Sequence, residues 1–599
     1  MAARRVALVV LLLLPACGGD GSGRGGEAAG PAPPLSPLDW TQWGQNPRHD
    51  GQLGVAGQRL DRIQAELVND PLAGPKKAES SGSLLTHYQA PLVVNGEEAL
   101  IPVHGGQYTP CSPPGSRSPF PCGADATGGR TWSQRMMQWR DGQLVEKWTF
   151  ASDWKPVPDL GALAGWEPVF HAVISGDFVY VPGAAGSVHK LNRSDGSVAA
   201  RIDPFGDAST NRFVAGPLST DGRGSVFYNA IQLVVPTTAS DPSPWQRDVL
   251  GAWLVRVGSD DRAATVTFAR LVPGAPPADA LCETSFPTSQ LPWPPGPTAA
   301  PPTAPCGSQR PAINVAPSIA DDGTIYTVSR AHFNPRYGYL VAAAPDLAPR
   351  WAASLRDRLR DGCGTPTMPP TGSPGGCRAG ALPGVDPATN AMPAGQVSDL
   401  SSSSPTVAPD GAILYGAFTR YNGSRGHLLK FGPNGEFAAA YDFGWDLTPA
   451  IHRHGNTYSV VIKDNRYGVG SYCSDSVHCP RPLEGPYDIT RLDANLVPEW
   501  SFTHRNTMSC QRTTGGGRSC VDDHPHGFEW CINAPAVDAN GLVYANNEDG
   551  ALYVIGPDGV LRQSLFLDSA LGAAYTPVSI GRDGRIYALN NGRVFVVGN

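Results

Sequence analysis

Charge is scarce in this 599-residue chain: Asp, Glu, Lys and Arg make up only 17% of it, and the net charge is −7. A chain without a basic excess lacks the field that gathers phosphates, so nucleic acid is not an expected partner. Long apolar runs are missing too; the run from Val6 to Leu14 is too short to span a bilayer. No extended amphipathic helical pattern is present, which argues against a helical protein. Several enzyme signatures are absent: adjacent Cys-Cys, Cys-x-x-Cys-His, a Walker loop, His-Glu-x-x-His and Gly-x-Ser-x-Gly. Covalent haem, nucleotide, zinc-protease and serine-hydrolase chemistry therefore find no support.

What the chain has in abundance is glycine and proline, 70 and 59 residues, the composition of a turn-rich all-β protein. Its first residues, two arginines followed by the Val6–Leu14 run, have the form of a secretory leader. The ending Leu14-Pro15-Ala16-Cys17 resembles a bacterial lipobox, in which Cys17 is lipidated and becomes the mature N-terminus. Pro15 departs from that pattern, where a small or hydroxylated residue is usual. Residues 1–17 are thus expected to be a signal peptide with its lipobox cysteine, and 18–37, rich in Gly, Ala and Pro, a flexible tether. The expected location is outside the cytoplasm, as an outer-membrane lipoprotein facing the periplasm or the cell surface.

Residues 38–599 carry an internal repeat. Eight segments share a proline, a Gly-containing turn and a strand that usually bears a tyrosine, as in "APSIADDGTIYTV" and "TPVSIGRDGRIYAL". The prolines are Pro91, Pro168, Pro217, Pro317, Pro405, Pro449, Pro535 and Pro577, spaced 42 to 100 residues apart. The shorter spacings match one four-stranded propeller blade, and the longer ones match blades carrying insertions. Second hairpins such as "HLLKFGPNGEFAAAY" complete strands A to D, because Asn-Gly and Asp-Gly between apolar strands are strong hairpin signals. The last repeat ends one strand short, and Asp61–Asp70 has the length to supply the missing outer strand. The expectation is a single β-propeller of eight four-stranded blades closed by an N-terminal strand, with seven the competing count.

The segment "DWTQWGQNPRHDG" (Asp39 to Gly51) followed by these repeats resembles the pyrroloquinoline-quinone-like propeller repeat proteins. That family includes quinoprotein dehydrogenases and the lipoprotein of the outer-membrane barrel assembly machinery. Trp148, Trp351 and Trp500 stand just after C–D turns, where the family places its docking tryptophan. The resemblance is weak per repeat and bears on fold more than on function.

In a propeller the B–C and D–A connections share one face, and the A–B and C–D turns share the other. By that rule Cys111, Cys122, Cys282, Cys306, Cys363, Cys377, Cys473, Cys479, Cys510, Cys520 and Cys531 all fall in loops of one face. In an exported chain they read first as disulfides. Proximity pairs the first eight in order and leaves one of the last three unpaired.

On that face, "CVDDHPHGFEWC" offers Asp522, Asp523, His524 and His526 as metal ligands, against the plainer reading of a stapled surface loop. Glu167, Asn314, Asp446 and Asn533 precede inner strands and are candidates for a ligand at the channel mouth. No catalytic residue is assigned. The cofactor is left open: a divalent metal is the candidate, and pyrroloquinoline quinone is not expected. The function expected is a non-catalytic, lipid-anchored propeller that binds protein or glycan at the cell envelope. The alternatives are a metal- or quinone-dependent enzyme at the looped channel mouth and a scaffold for outer-membrane protein assembly.

Overall fold

The structure is a computed structural model that describes residues 34–109, 129–156, 169–209, 211–234, 244–287, 296–365, 377, 380–419, 421–422, 425–467 and 485–599. Cys17, Cys111, Cys122, Glu167, Pro168, Cys473 and Cys479 lie outside the described residues. Among those described, no helix exceeds seven residues, and strands form eight antiparallel sheets of four or five strands, with two extra hairpins.

The innermost strands are Leu92–Val94, Val173–Ser175, Ser219–Thr220, Ser318–Ile319, Thr406–Val407, Ala450–His454, Ala536–Val537 and Ser579–Ile580. Pro91, Pro217, Pro317, Pro405, Pro449, Pro535 and Pro577 stand one or two residues before them, where a residue without an N–H costs the ladder nothing. Second strands such as Ile325–Ala331 are buried throughout, because neighbouring blades cover both of their faces. Outer strands such as Phe437–Asp442 alternate between half-buried and exposed residues. The ring is an eight-bladed β-propeller, and the last blade is completed by Arg62–Val68 running antiparallel to Arg593–Gly598. The competing count of seven is not met.

Three tryptophans dock successive blades by one device. The indole Nε1 of Trp148 donates to the Arg193 carbonyl, that of Trp351 to Pro433 and that of Trp500 to Pro557, each at 2.9 Å. Each ring lies against the turn glycine of the next blade, Gly196, Gly435 or Gly559, all with positive φ. A Cβ on Gly435 would stand 2.8 Å from the Trp351 ring at φ +86°. Gly435→Ala is therefore expected to cost about 1–3 kcal/mol in urea unfolding, since both strain and overlap act together.

The central channel is filled at its A–B end by residues 40–58. Trp40 exchanges backbone hydrogen bonds with Val93, and the carbonyls of Thr41, Pro47, Arg48, Asp50 and Gly51 accept from Ile174, Ile319, Val407, Ile451 and Val537. The Gln42 amide pairs with both backbone groups of Thr220, and Gln58 N–H donates to Gly584 O. One segment thereby engages all eight blades. At its middle, the buried Trp43 indole donates to Thr448 Oγ1 at 2.8 Å and packs between Ala316 and Ala534. Those alanines precede repeat prolines, and their small size leaves room for the indole.

Disulfides join Cys282 to Cys306, Cys363 to Cys377 and Cys510 to Cys520. All three lie in D–A connections, on the face opposite the plug's A–B turns. Cys510 and Cys520 face each other across the hairpin Met508–Arg512/Arg518–Asp522, so the leftover cysteine is Cys531, a buried free thiol.

Candidate functional site

At the looped mouth of the channel, the run from Glu529 to Ile532 sends its side chains to two sides. Trp530 and Ile532 join the main apolar core, while Cys531 packs on the other side against Ala574 and Tyr575. Glu529 lies on the side of Cys531. Glu548, in the B–C turn of the seventh blade, comes close: one oxygen each from Glu529 and Glu548 and the Cys531 sulfur lie within 4.8 Å of one another. Tyr467 Oη donates to Glu529 at 2.6 Å.

Lys463, buried on the second strand of the sixth blade, has its Nζ 3.6 Å from Asp446 Oδ2, and Ser402 N–H donates to Asp446 Oδ1 at 3.2 Å. Acids thus outnumber nearby cations in a poorly solvated place. Burial holds the carboxyls of Asp446 and Glu529 above the usual range, against the attraction of Lys463. Glu548 is pushed up to about 8, first by burial and then by the charge of Glu529, and burial also raises the Cys531 thiol. Cys531 is therefore held as a thiol rather than a reactive thiolate.

Of the mouth residues expected from sequence, Asp446 and Asn533 border this group. Both amide atoms of Asn533 are buried and lack hydrogen-bond partners, although its backbone carbonyl accepts from Thr448. Asn314 is spent structurally: its Oδ1 accepts from Val169 N–H at 2.9 Å. Asp522 ends the disulfide hairpin, and Asp523 bonds His524 Nδ1 at 2.6 Å in the open. His524 stacks on Phe528, 3.9 Å between centroids, and His526 is exposed. Neither of the two close ligand-type groups among the described residues includes any of these four.

The second such group, Asp361, His427 and Asp442, is internally satisfied. His427 Nε2 pairs with Asp361, whose other oxygen accepts from Tyr421, while Asn422 and Arg425 bind Asp442. Sequence reasoning missed Glu529, Glu548, Lys463, Tyr467 and Tyr575. The available signal was the alternation in Glu-Trp-Cys-Ile-Asn just before a repeat proline.

Two aromatic contacts lie near the axis. His87 and Tyr575 stack at 4.3 Å and 10°, and Trp43 meets His171 edge to face at 5.7 Å.

No family model and no curated protein matches the chain. Among solved structures it is similar to a europium-containing methanol dehydrogenase, at 11% identity over 92% of this chain and 89% of that one, with a TM-score of 0.45. It is also similar to the quinohemoprotein alcohol dehydrogenase of Comamonas testosteroni, at 11% identity, 94% and 81% coverage and a TM-score of 0.48. It is similar as well to BamB of Moraxella catarrhalis, at 11% identity over 78% of this chain and 88% of that one, with a TM-score of 0.36. The likeness is one of fold.

Proposed function

We propose that the chain is an exported, lipid-anchored propeller that binds an envelope protein or glycan through its looped face. The observation that carries this reading is the inequality of the two faces: a plug seals the A–B end, while the long disulfide-bearing loops crowd the other. The looped face also holds exposed apolar side chains, Leu250, Leu281, Phe333, Leu382, Met508 and Val521, the kind of surface a protein partner covers. Leu35 and Ser36 lie beside Thr220 and Asp321 at the A–B end. No helix among the described residues is long and apolar enough to cross a membrane.

Replacing the hairpin 508–522 by a short Gly-Ser turn tests the reading. Co-sedimentation with envelope fractions is expected to fall at least about tenfold, with the circular dichroism unchanged; undiminished binding contradicts it.

A second reading, an enzyme at the same mouth, is favoured by Glu548, because a carboxyl kept protonated near neutrality is the form used in general acid catalysis. Elemental analysis and an absorption spectrum of the purified chain test its cofactor-dependent form, which fails if neither stoichiometric metal nor quinone is found. A role as an assembly scaffold would require recovery of barrel-assembly subunits from membranes, and their absence would remove it.

A further inference from the structure

We propose that Glu529, Cys531 and Glu548 form a binding site for one divalent cation of the zinc type at the base of the looped face. This site differs from the Asp522–His526 set and does not depend on the looped face binding a partner; an ion there takes Glu548 as a carboxylate and so excludes its use as a general acid. Three potential ligand atoms already lie within 4.8 Å of one another, so small side-chain adjustments suffice to enclose an ion. Tyr467 holds one oxygen of Glu529 and orients the carboxylate, as outer partners of metal ligands do.

A separate observation points the same way. The Asn533 side chain, two residues beyond Cys531, is fully buried, and both of its amide atoms lack partners. A buried unpaired amide is costly, and an ion with its bound water offers it a partner. Glu529 is only half-buried, which leaves a path from the channel mouth.

The donor set selects the ion. One sulfur disfavours calcium and magnesium, which take oxygen ligands, and two carboxylates disfavour monovalent copper. The ion replaces protons: on binding, the Cys531 thiol and whichever of the two carboxyls are protonated release them to solvent, while Lys463 and Asp446 remain paired beside the site. The other ligand-type group, at His427, already has its acceptors occupied and makes an internal control.

The test uses Co2+ as a spectroscopic probe on the full chain with its disulfides intact. One Co2+ per chain is expected, with a thiolate-to-metal charge-transfer absorption. Cys531→Ser should abolish that band and weaken binding at least about tenfold; the near-isosteric Glu548→Gln should weaken it at least about tenfold while keeping the wild-type circular dichroism. His427→Ala should bind as the parent does. No stoichiometric binding, a charge-transfer band that survives Cys531→Ser, or unchanged affinity in Glu548→Gln would each overturn the proposal.

Discussion

Trp43→Ala is expected to lower stability by about 3–5 kcal/mol, among the largest effects of any single substitution in the chain. The indole is fully buried on the propeller axis, so its removal opens a cavity that the two small neighbours, Ala316 and Ala534, cannot fill. It also takes away the hydrogen bond to Thr448, adding to the cost. The effect should spread around the ring, because the segment bearing Trp43 engages all eight blades. Trp43→Phe keeps most of the volume and should lose less, about 1–3 kcal/mol. Urea unfolding of both variants checks the order; a loss below about 1 kcal/mol for Trp43→Ala would mean that the plug is an accessory.

Acid should destabilise the same region. His49 and His171 are fully buried, and burial lowers each to about 3 from 6.5. Their Nδ1 atoms face the carbonyls of Pro405 and Ala172, so each ring is neutral with its proton there, and each Nε2 is buried without a partner. The unfolded chain takes up protons below pH 6.5 that the folded chain refuses until about pH 3. Stability contributed by the neutral rings is therefore complete above pH 6.5 and is lost as the pH falls through that window. At pH 4 the loss is about 3 kcal/mol for each ring, if they act independently. His49→Gln, whose amide can still donate to Pro405, should flatten the fall in melting temperature between pH 7.5 and pH 4 relative to the parent. Comparing the two proteins cancels the contribution of the carboxyls; parallel pH profiles would contradict the assignment.

The parts of the fold that repeat were legible in the sequence. Pro535 and Gly541, or Pro405 and Gly411, mark strand and turn because backbone chemistry requires them at each recurrence. The missing last strand and its replacement by Arg62–Val68 followed from counting, and the tryptophans at 148, 351 and 500 from their position after a turn. The plug was not legible as a plug. Residues 40–58 have no periodicity, and their partners lie in every blade along the chain, so nothing local encodes the pairing. The candidate site was half legible. Asp446 and Asn533 were found from their place before an inner strand, but the histidines of "DDHPH" drew attention from Glu529 and Cys531 a few residues later. Those two matter through burial beside Glu548, and burial depends on a turn in the next blade.

We propose the looped face as the working face and the plugged face as a structural one. Hydrogen–deuterium exchange of the full chain, with and without an envelope fraction that it binds, tests this most directly. New protection is expected in 277–287, 296–307 and 505–530, and none in the A–B turns 319–323, 537–541 and 581–584. Protection confined to those turns would contradict it.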